Sequence, residues 1–261
     1  MSATRRIVRR DAVEARGDWP ASWPPLLRRV HAARGSDARE AMPRLADLLP
    51  FTGLAGIEHA VELLRDAVHR DARILVVGDF DCDGATACAV GVRGLRMLGA
   101  NHVMHAVPNR IVHGYGMTPG LVEELAALHP DLVVTVDHGI ACHAGIDAAK
   151  ARGWQVLVTD HHLPGTTLPS ADAIVNPNQP GDTFASKAMA GVGVIFYLLL
   201  ALRARLGASA DLASLLDLVA VGTVAGLVPL DANNRTLVAA GLRRLRAGRG
   251  CAGLRALIEA C

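Results

Sequence analysis

Three aspartates stand two residues apart in Gly78-Asp79-Phe80-Asp81-Cys82-Asp83-Gly84. Further on the chain carries Asp137-His138-Gly139 and then Thr159-Asp160-His161-His162. Three carboxylates in five residues repel one another, and near a sheet edge each raises the pKa of the others. A divalent cation removes that repulsion. Oxygen ligands from aspartate with one or two imidazoles suit Mn2+ or Mg2+. With about four carboxylates, two ions about 3.5–4 Å apart can be held, and such a pair activates a water and clamps a phosphoryl group for in-line displacement. Gly84-Ala85-Thr86 then opens a helix, which sets backbone N–H groups and a positive helix end beside the cations, a fit for phosphate. An ordinary strand–turn–helix glycine is the alternative at Gly84.

Each piece also has a plainer reading. A lone DxDxDG is an acidic turn or a calcium loop, although the EF-hand pattern needs a downstream glutamate and flanking helices. Paired histidines at a strand end often do no more than face solvent, and Asp137 alone could cap a helix. What favours a metal site is the shared position of all three segments. Each follows a short apolar run of the kind that forms a buried strand: Ile74–Val77, Leu132–Val136 and Val156–Val158. In an open parallel sheet, ligands bind beyond the carboxyl ends of the strands.

The elements that must position these groups follow from the same pattern. Val103–Val107 and Ala173–Val175 are two further apolar runs. Leu54–His69, Ala85–Leu98, Thr118–Leu128 and His143–Arg152 have helical spacing. The alternation predicts an α/β fold, a parallel sheet flanked by helices. After Pro180 the pattern turns mainly helical, over Lys187–Leu206, Asp211–Val224, Arg235–Arg246 and Cys251–Ala260, so the C-terminal part is expected to be helical. Residues 1–50, with Pro20, Pro24, Pro25 and Pro43, read as an amino-terminal cap or arm.

Composition bounds the rest. The 261 residues are 51% hydrophobic and only 3% aromatic, so the core must be built from Ala, Val, Leu and Ile, as suits strands covered on both faces. The net charge of +2 does not by itself point to nucleic acid. Arginines gather at Arg5, Arg6, Arg9 and Arg10 and again at Arg243, Arg244, Arg246 and Arg249; they are solvated surface or weak backbone contacts. Five cysteines without a CxxC pair argue against disulfides or a zinc knuckle and for a reducing, cytoplasmic compartment. No secretory signal is visible. The most apolar run, Val192–Leu202, is short of the ~20 residues that span a bilayer, so no membrane role is expected.

The segment Val76-Val77-Gly78-Asp79-Phe80-Asp81-Cys82-Asp83-Gly84 resembles the first motif of the DHH phosphoesterases, whose name describes the triplet Asp160-His161-His162. Within that family several further segments resemble the RecJ exonucleases. They are Pro24-Pro25-Leu26-Leu27, Pro108-Asn109-Arg110 with Gly114-Tyr115-Gly116, Val136-Asp137-His138-Gly139-Ile140, Ala190-Gly191-Val192-Gly193-Val194, and Gly222-Thr223-Val224-Ala225 with Val228-Pro229-Leu230. The resemblance implies a DHH phosphoesterase core over 51–235, with 236–261 starting a helical connector to a second domain. It implies 5′-to-3′ exonuclease action on single-stranded DNA, by a two-metal mechanism with Mn2+ or Mg2+, in recombination and DNA repair. Asp81, Asp83, Asp137 and His161 would be metal ligands, with Asp79 beside them. His162 and Asp160 would be catalytic, with His162 facing the scissile phosphate, and Arg110 would help hold a phosphate. A single-strand-binding protein and a RecQ-type helicase are the partners it implies.

Two positions depart from the family pattern. An aspartate that ligates metal usually follows Gly-Thr-Val-Ala; here that position is Gly226, so one of the two ions is expected to be weakly held. An asparagine usually follows the aspartate of the third motif; here it is His138, either a substitute ligand or a satisfied histidine. These departures keep two other functions open: a non-catalytic RecJ-like binding module, and a small-substrate DHH phosphoesterase. Gly226, together with the second domain that closes over the strand in the family, leads to the expectation that the chain alone is weak or inactive in processive degradation.

Overall fold

A computed structural model describes residues 8, 11, 13–15 and 17–261 of the chain. The arginines Arg5, Arg6, Arg9 and Arg10 lie outside the described residues. The chain divides into two compact units, Met1–Arg44 and Leu45–Cys261. In the first, α1 (Pro25–Ala33) begins at a proline, which suits a first helical turn because its missing N–H needs no partner there. Trp19, Trp23 and His31 pack ring against ring, with centroids 5.3–6.0 Å apart. Arg28 ties the preceding turn by donating to the carbonyls of Pro20, Ala21 and Trp23. A short α2 (Ala38–Ala41) follows, capped by the Asp37 side chain.

The second unit runs α3 (Ile57–His69), β1 (Ile74–Val77), α4 (Cys82–Met97), β2 (Val103–Ala106), α5 (Pro119–Leu125), β3 (Leu132–Val136), α6 (His143–Ala151), β4 (Gln155–Thr159) and β5 (Ala173–Val175). It ends with α7 (Gly191–Leu206), α8 (Leu216–Ala225), α9 (Ala232–Arg246) and α10 (Ala252–Ala260). The five strands form one parallel sheet in the order β2-β1-β3-β4-β5. β1 and β3 are buried along their whole length. Their side chains alternate between two apolar layers, as strand geometry requires. Ile74, Val76, Leu132 and Val134 face the layer under α3, α4, α7 and α8, while Leu75, Val77 and Val133 face α5 and α6. Burying each such side chain stabilises the fold by roughly 1.5–3 kcal/mol.

α7 is buried on nearly every side, from Val192 to Leu199, and so has no polar face to present to water. That is why its apolar run is a core helix. No helix among the described residues is long and apolar enough to cross a membrane. α4 begins at Cys82, three residues earlier than its apolar spacing indicates. The Asp81 carboxylate caps it by accepting from the Gly84 N–H at 2.9 Å.

Candidate metal centre

The parallel register brings the ends of β1, β3 and β4 side by side, so the residues after Val77, Val136 and Thr159 share one edge. Asp79 is buried there, and its Oδ1 accepts the Phe80 N–H at 2.7 Å. Asp81 stands at the start of α4. Within its first turn, Asp83 is buried, and its two oxygens accept the N–H groups of Gly191 and Val192 at 2.8 Å each. The positive end of α7 thus faces a carboxylate. Asp137 follows β3 in a left-handed conformation (φ 64°), rare for a residue with a side chain, which turns its carboxylate toward the same edge. His161 Nε2 lies 3.1 Å from Asp137 Oδ1 and 3.7 Å from Asp83 Oδ2.

Two sets of ligand atoms, each within 4.8 Å of one another, result: Asp79, Asp81 and Asp137, and Asp137, His161 and His162. Asp137 belongs to both. Its Oδ1 is buried and makes no hydrogen bond. Burial first, and then the charges of Asp83 and Asp81, push the Asp137 carboxyl up to about 10. Asp83 is also raised by burial, which the N–H groups of Val192 and Gly191 and the nearby His161 offset only in part. Asp79 is raised by burial, with the Phe80 N–H working against it and Asp81 adding to it. Three buried carboxylates that resist ionisation, one with an unsatisfied oxygen, are what a bound divalent cation would correct. The oxygen-rich donor set with imidazole fits Mn2+ or Mg2+.

Asp160 does not enter this cluster. It is buried, and its Oδ1 accepts from the backbone N–H of His161 and of His162 and from His162 Nδ1, at 2.7, 3.0 and 2.8 Å; Oδ2 accepts the Ile140 N–H. Burial opposes its ionisation, but these donors outweigh it and hold the carboxyl below the usual range. The hydrogen bond to Asp160 in turn raises the His162 pKa against the effect of burial. Asp160 therefore holds the His162 imidazole and the backbone beside it. Nδ1 of the half-exposed His162 is thus engaged by Asp160.

The Gly84 N–H donates to Asp81 Oδ1. A Cβ at 84 would sit 2.5 Å from Asp79 N, so the glycine lets α4 close against Asp79. His138 resolves as a buried histidine whose Nε2 lies 3.1 Å from the Val77 carbonyl; burial lowers it to about 4, so it is neutral, and it belongs to neither ligand set. Arg110 lies over the Phe80 ring, 4.9 Å from its centroid, on the loop after β2. Tyr115, on the same loop, has its hydroxyl 3.4 Å from the Asp137 carbonyl and 3.5 Å from His162 Nδ1. Gly226 has φ −69° and ψ −3°, which any residue adopts, and a Cβ there would lie 3.5 Å from Asp83 Oδ2. The left-handed turn after α8 falls instead on Leu227.

Residue-type reasoning missed the first turn of α7. Its residues carry no chemical side chain; only the small-residue run Ala190-Gly191 hints at a close approach.

A family model for the DHH family, N-terminal domain, matches residues 73–223. The chain belongs to the DHH family. Among curated relatives, this DHH chain is 51% identical to the single-stranded-DNA-specific exonuclease RecJ of Salmonella typhimurium, over 99% of its own length and 47% of the relative's. It is 49% identical to RecJ of Escherichia coli over 97% and 46%. The chain thus spans about half the length of the curated relatives it matches. A crystal structure of exonuclease RecJ bound to manganese superposes with a TM-score of 0.72 at 43% identity, over 81% of this chain and 52% of that one. The fold is therefore that of the RecJ DHH domain.

Proposed function

We propose that this chain is the catalytic core of a metal-dependent exonuclease that hydrolyses phosphodiester bonds of single-stranded DNA from the 5′ end, in recombination and repair. One observation carries the reading. Asp79, Asp81, Asp83, Asp137 and His161 converge on one sheet edge, while Asp160 holds Nδ1 of the adjacent His162. Asp79, Asp81, Asp137 and His161 would hold the ions, with Asp83 backing them from the N-terminus of α7. Bound Mn2+ or Mg2+ supplies a coordinated water of lowered pKa and neutralises charge on the phosphoryl oxygens.

The chain's own residues do the remainder. Arg110 meets a phosphate of the strand with a planar guanidinium suited to paired hydrogen bonds. His162, whose pKa the hydrogen bond to Asp160 raises, donates from its imidazole to the phosphate under attack and stabilises the charge that develops there. Tyr115 fixes the wall beside that imidazole; burial and the nearby carboxylates raise its pKa, so its hydroxyl stays protonated. Gly226 leaves the Asp83 side one carboxylate short of the family pattern, so turnover by this chain alone is expected to be weak. The same gap is what favours the non-catalytic reading. The resemblance supports partnership with a single-strand-binding protein or a RecQ-type helicase, and the cysteine pattern supports a cytoplasmic location.

The test is degradation of a 5′-phosphorylated, end-labelled single strand with Mn2+, beside a duplex and a dinucleotide. Slow release of mononucleotides from the single strand, abolished by EDTA and by Asp137→Ala, supports the reading. Cleavage of the dinucleotide alone would favour a small-substrate phosphoesterase. No cleavage of any substrate at high enzyme concentration would favour the binding module.

A further inference from the structure

We infer that Asn176 and Asn178 are positioning residues that clamp the backbone of His161 and His162 and so fix the directions of the two imidazoles. The inference rests on the metal-centre reading for its functional meaning, but its geometry stands apart from it.

β4 and β5 run parallel and pair as far as Thr159 and Val175, with one more rung from the Asp160 N–H to the Val175 carbonyl at 3.1 Å. There the ladder must stop, because Pro177 has no N–H to offer. Two side-chain amides continue it. Asn176 Nδ2 donates to the His162 carbonyl at 2.9 Å, and Asn178 Nδ2 donates to the His161 carbonyl at 2.6 Å. Each amide faces a carbonyl oxygen, which only an NH2 group can satisfy. The pair is braced from within: Asn176 Oδ1 accepts the Asn178 N–H at 2.8 Å. It is also braced from behind, where Asn178 Nδ2 reaches the Lys187 carbonyl at 3.1 Å and Lys187 Nζ donates to the Pro177 carbonyl at 2.6 Å. Asn176 is fully buried.

With the two N–H groups held by Asp160 Oδ1, all four backbone polar groups of His161 and His162 are bound by three side chains. Adjacent residues held this way cannot exchange the directions of their side chains. His161 points inward, 18% exposed, against Asp137 and Asp83; His162 points outward, 47% exposed, against Asp160. The division of labour between the histidines thus depends on a segment that contributes no ligand atom. Supporting residues of this kind typically change metal affinity by about 10–100-fold when lost.

The decisive variant is Asn178→Asp, which keeps the shape, loses the donor and sets a carboxylate against the His161 carbonyl; Asn178→Ala serves if the aspartate prevents folding. Two readouts separate a positioning role from a merely structural one: the imidazole 1H–15N spectrum of the metal-free protein, and Mn2+ affinity by calorimetry well below the melting temperature. The expected result is shifted His161 imidazole resonances in a folded protein, with Mn2+ affinity lowered about tenfold. Unchanged imidazole resonances and unchanged affinity in a folded variant would overturn the inference. If the parent itself bound no Mn2+ while the variant still shifted the imidazole signals, the clamp would stand and the metal reading would fall.

Discussion

Gly191 packs directly on the carboxylate of Asp137: a Cβ at position 191 would lie 2.4 Å from Oδ1. The same residue donates its N–H to Asp83 Oδ2 at 2.8 Å. The first turn of α7 is therefore wedged between two acids from different strand ends, and its positive end helps hold both in a small volume.

Gly191→Ala should push these acids apart. The expected cost is about 1–3 kcal/mol from overpacking, together with weaker Mn2+ binding. Chemical denaturation without metal and calorimetry with it measure the two effects; a variant as stable as the parent with equal Mn2+ affinity would show that the wedge is not needed.

Gly226→Asp should act with opposite sign in the two metal states. Its Cβ would lie 3.5 Å from Asp83 Oδ2. Without metal the added charge should destabilise the fold by an amount on the order of 1 kcal/mol. With saturating Mn2+ it should raise the melting temperature and the number of ions bound. Melting curves with and without Mn2+ should cross relative to the parent; a shift of the same sign in both would rule out a missing ligand.

His138 gives a pH effect. Its pKa is depressed by burial from 6.5 in the unfolded chain to about 4, so the stability tied to its neutral form is present above pH 6.5 and lost as pH falls toward 4. His138→Gln, whose amide reaches about as far as Nε2, can still donate to the Val77 carbonyl and has nothing to protonate. Its stability should fall less over that window, by as much as about 3 kcal/mol. Denaturation at a series of pH values checks this, and parallel curves for the two proteins would contradict it.

Asp160→Asn removes the partner that raises His162. The His162 pKa should drop toward its ordinary value, and strand cleavage should fall by about 100-fold or more. An NMR titration of His162 reads the first effect independently of turnover. An unmoved titration would mean that another group holds the imidazole.

Much of this was legible in the sequence, because buried parallel strands and their following loops carry local signals. Ile74–Val77, Leu132–Val136 and Ala173–Val175 form strands with those bounds, and Asp79, Asp81, Asp83, Asp137 and His161 do meet at one edge. What was not legible depends on long-range packing. The order β2-β1-β3-β4-β5 leaves no local trace. Nor do the backbone donors of Gly191 and Val192, which lie over 100 residues from Asp83. Asp160 reads as a catalytic group beside two histidines; its hydrogen bonds to Ile140 and His162 depend on the fold and leave no local trace. His138 was open between ligand and core until the ends of β1 and β3 enclosed it.

The central claim is that the acidic edge is a divalent-cation site built around Asp137. Calorimetric titration of Mn2+ into the metal-free protein, beside Asp137→Ala, tests it most directly. The account requires saturable binding by the parent, with protons released as the raised carboxyls ionise, and its loss in the variant. Equal binding by both proteins, or none by either, would contradict it.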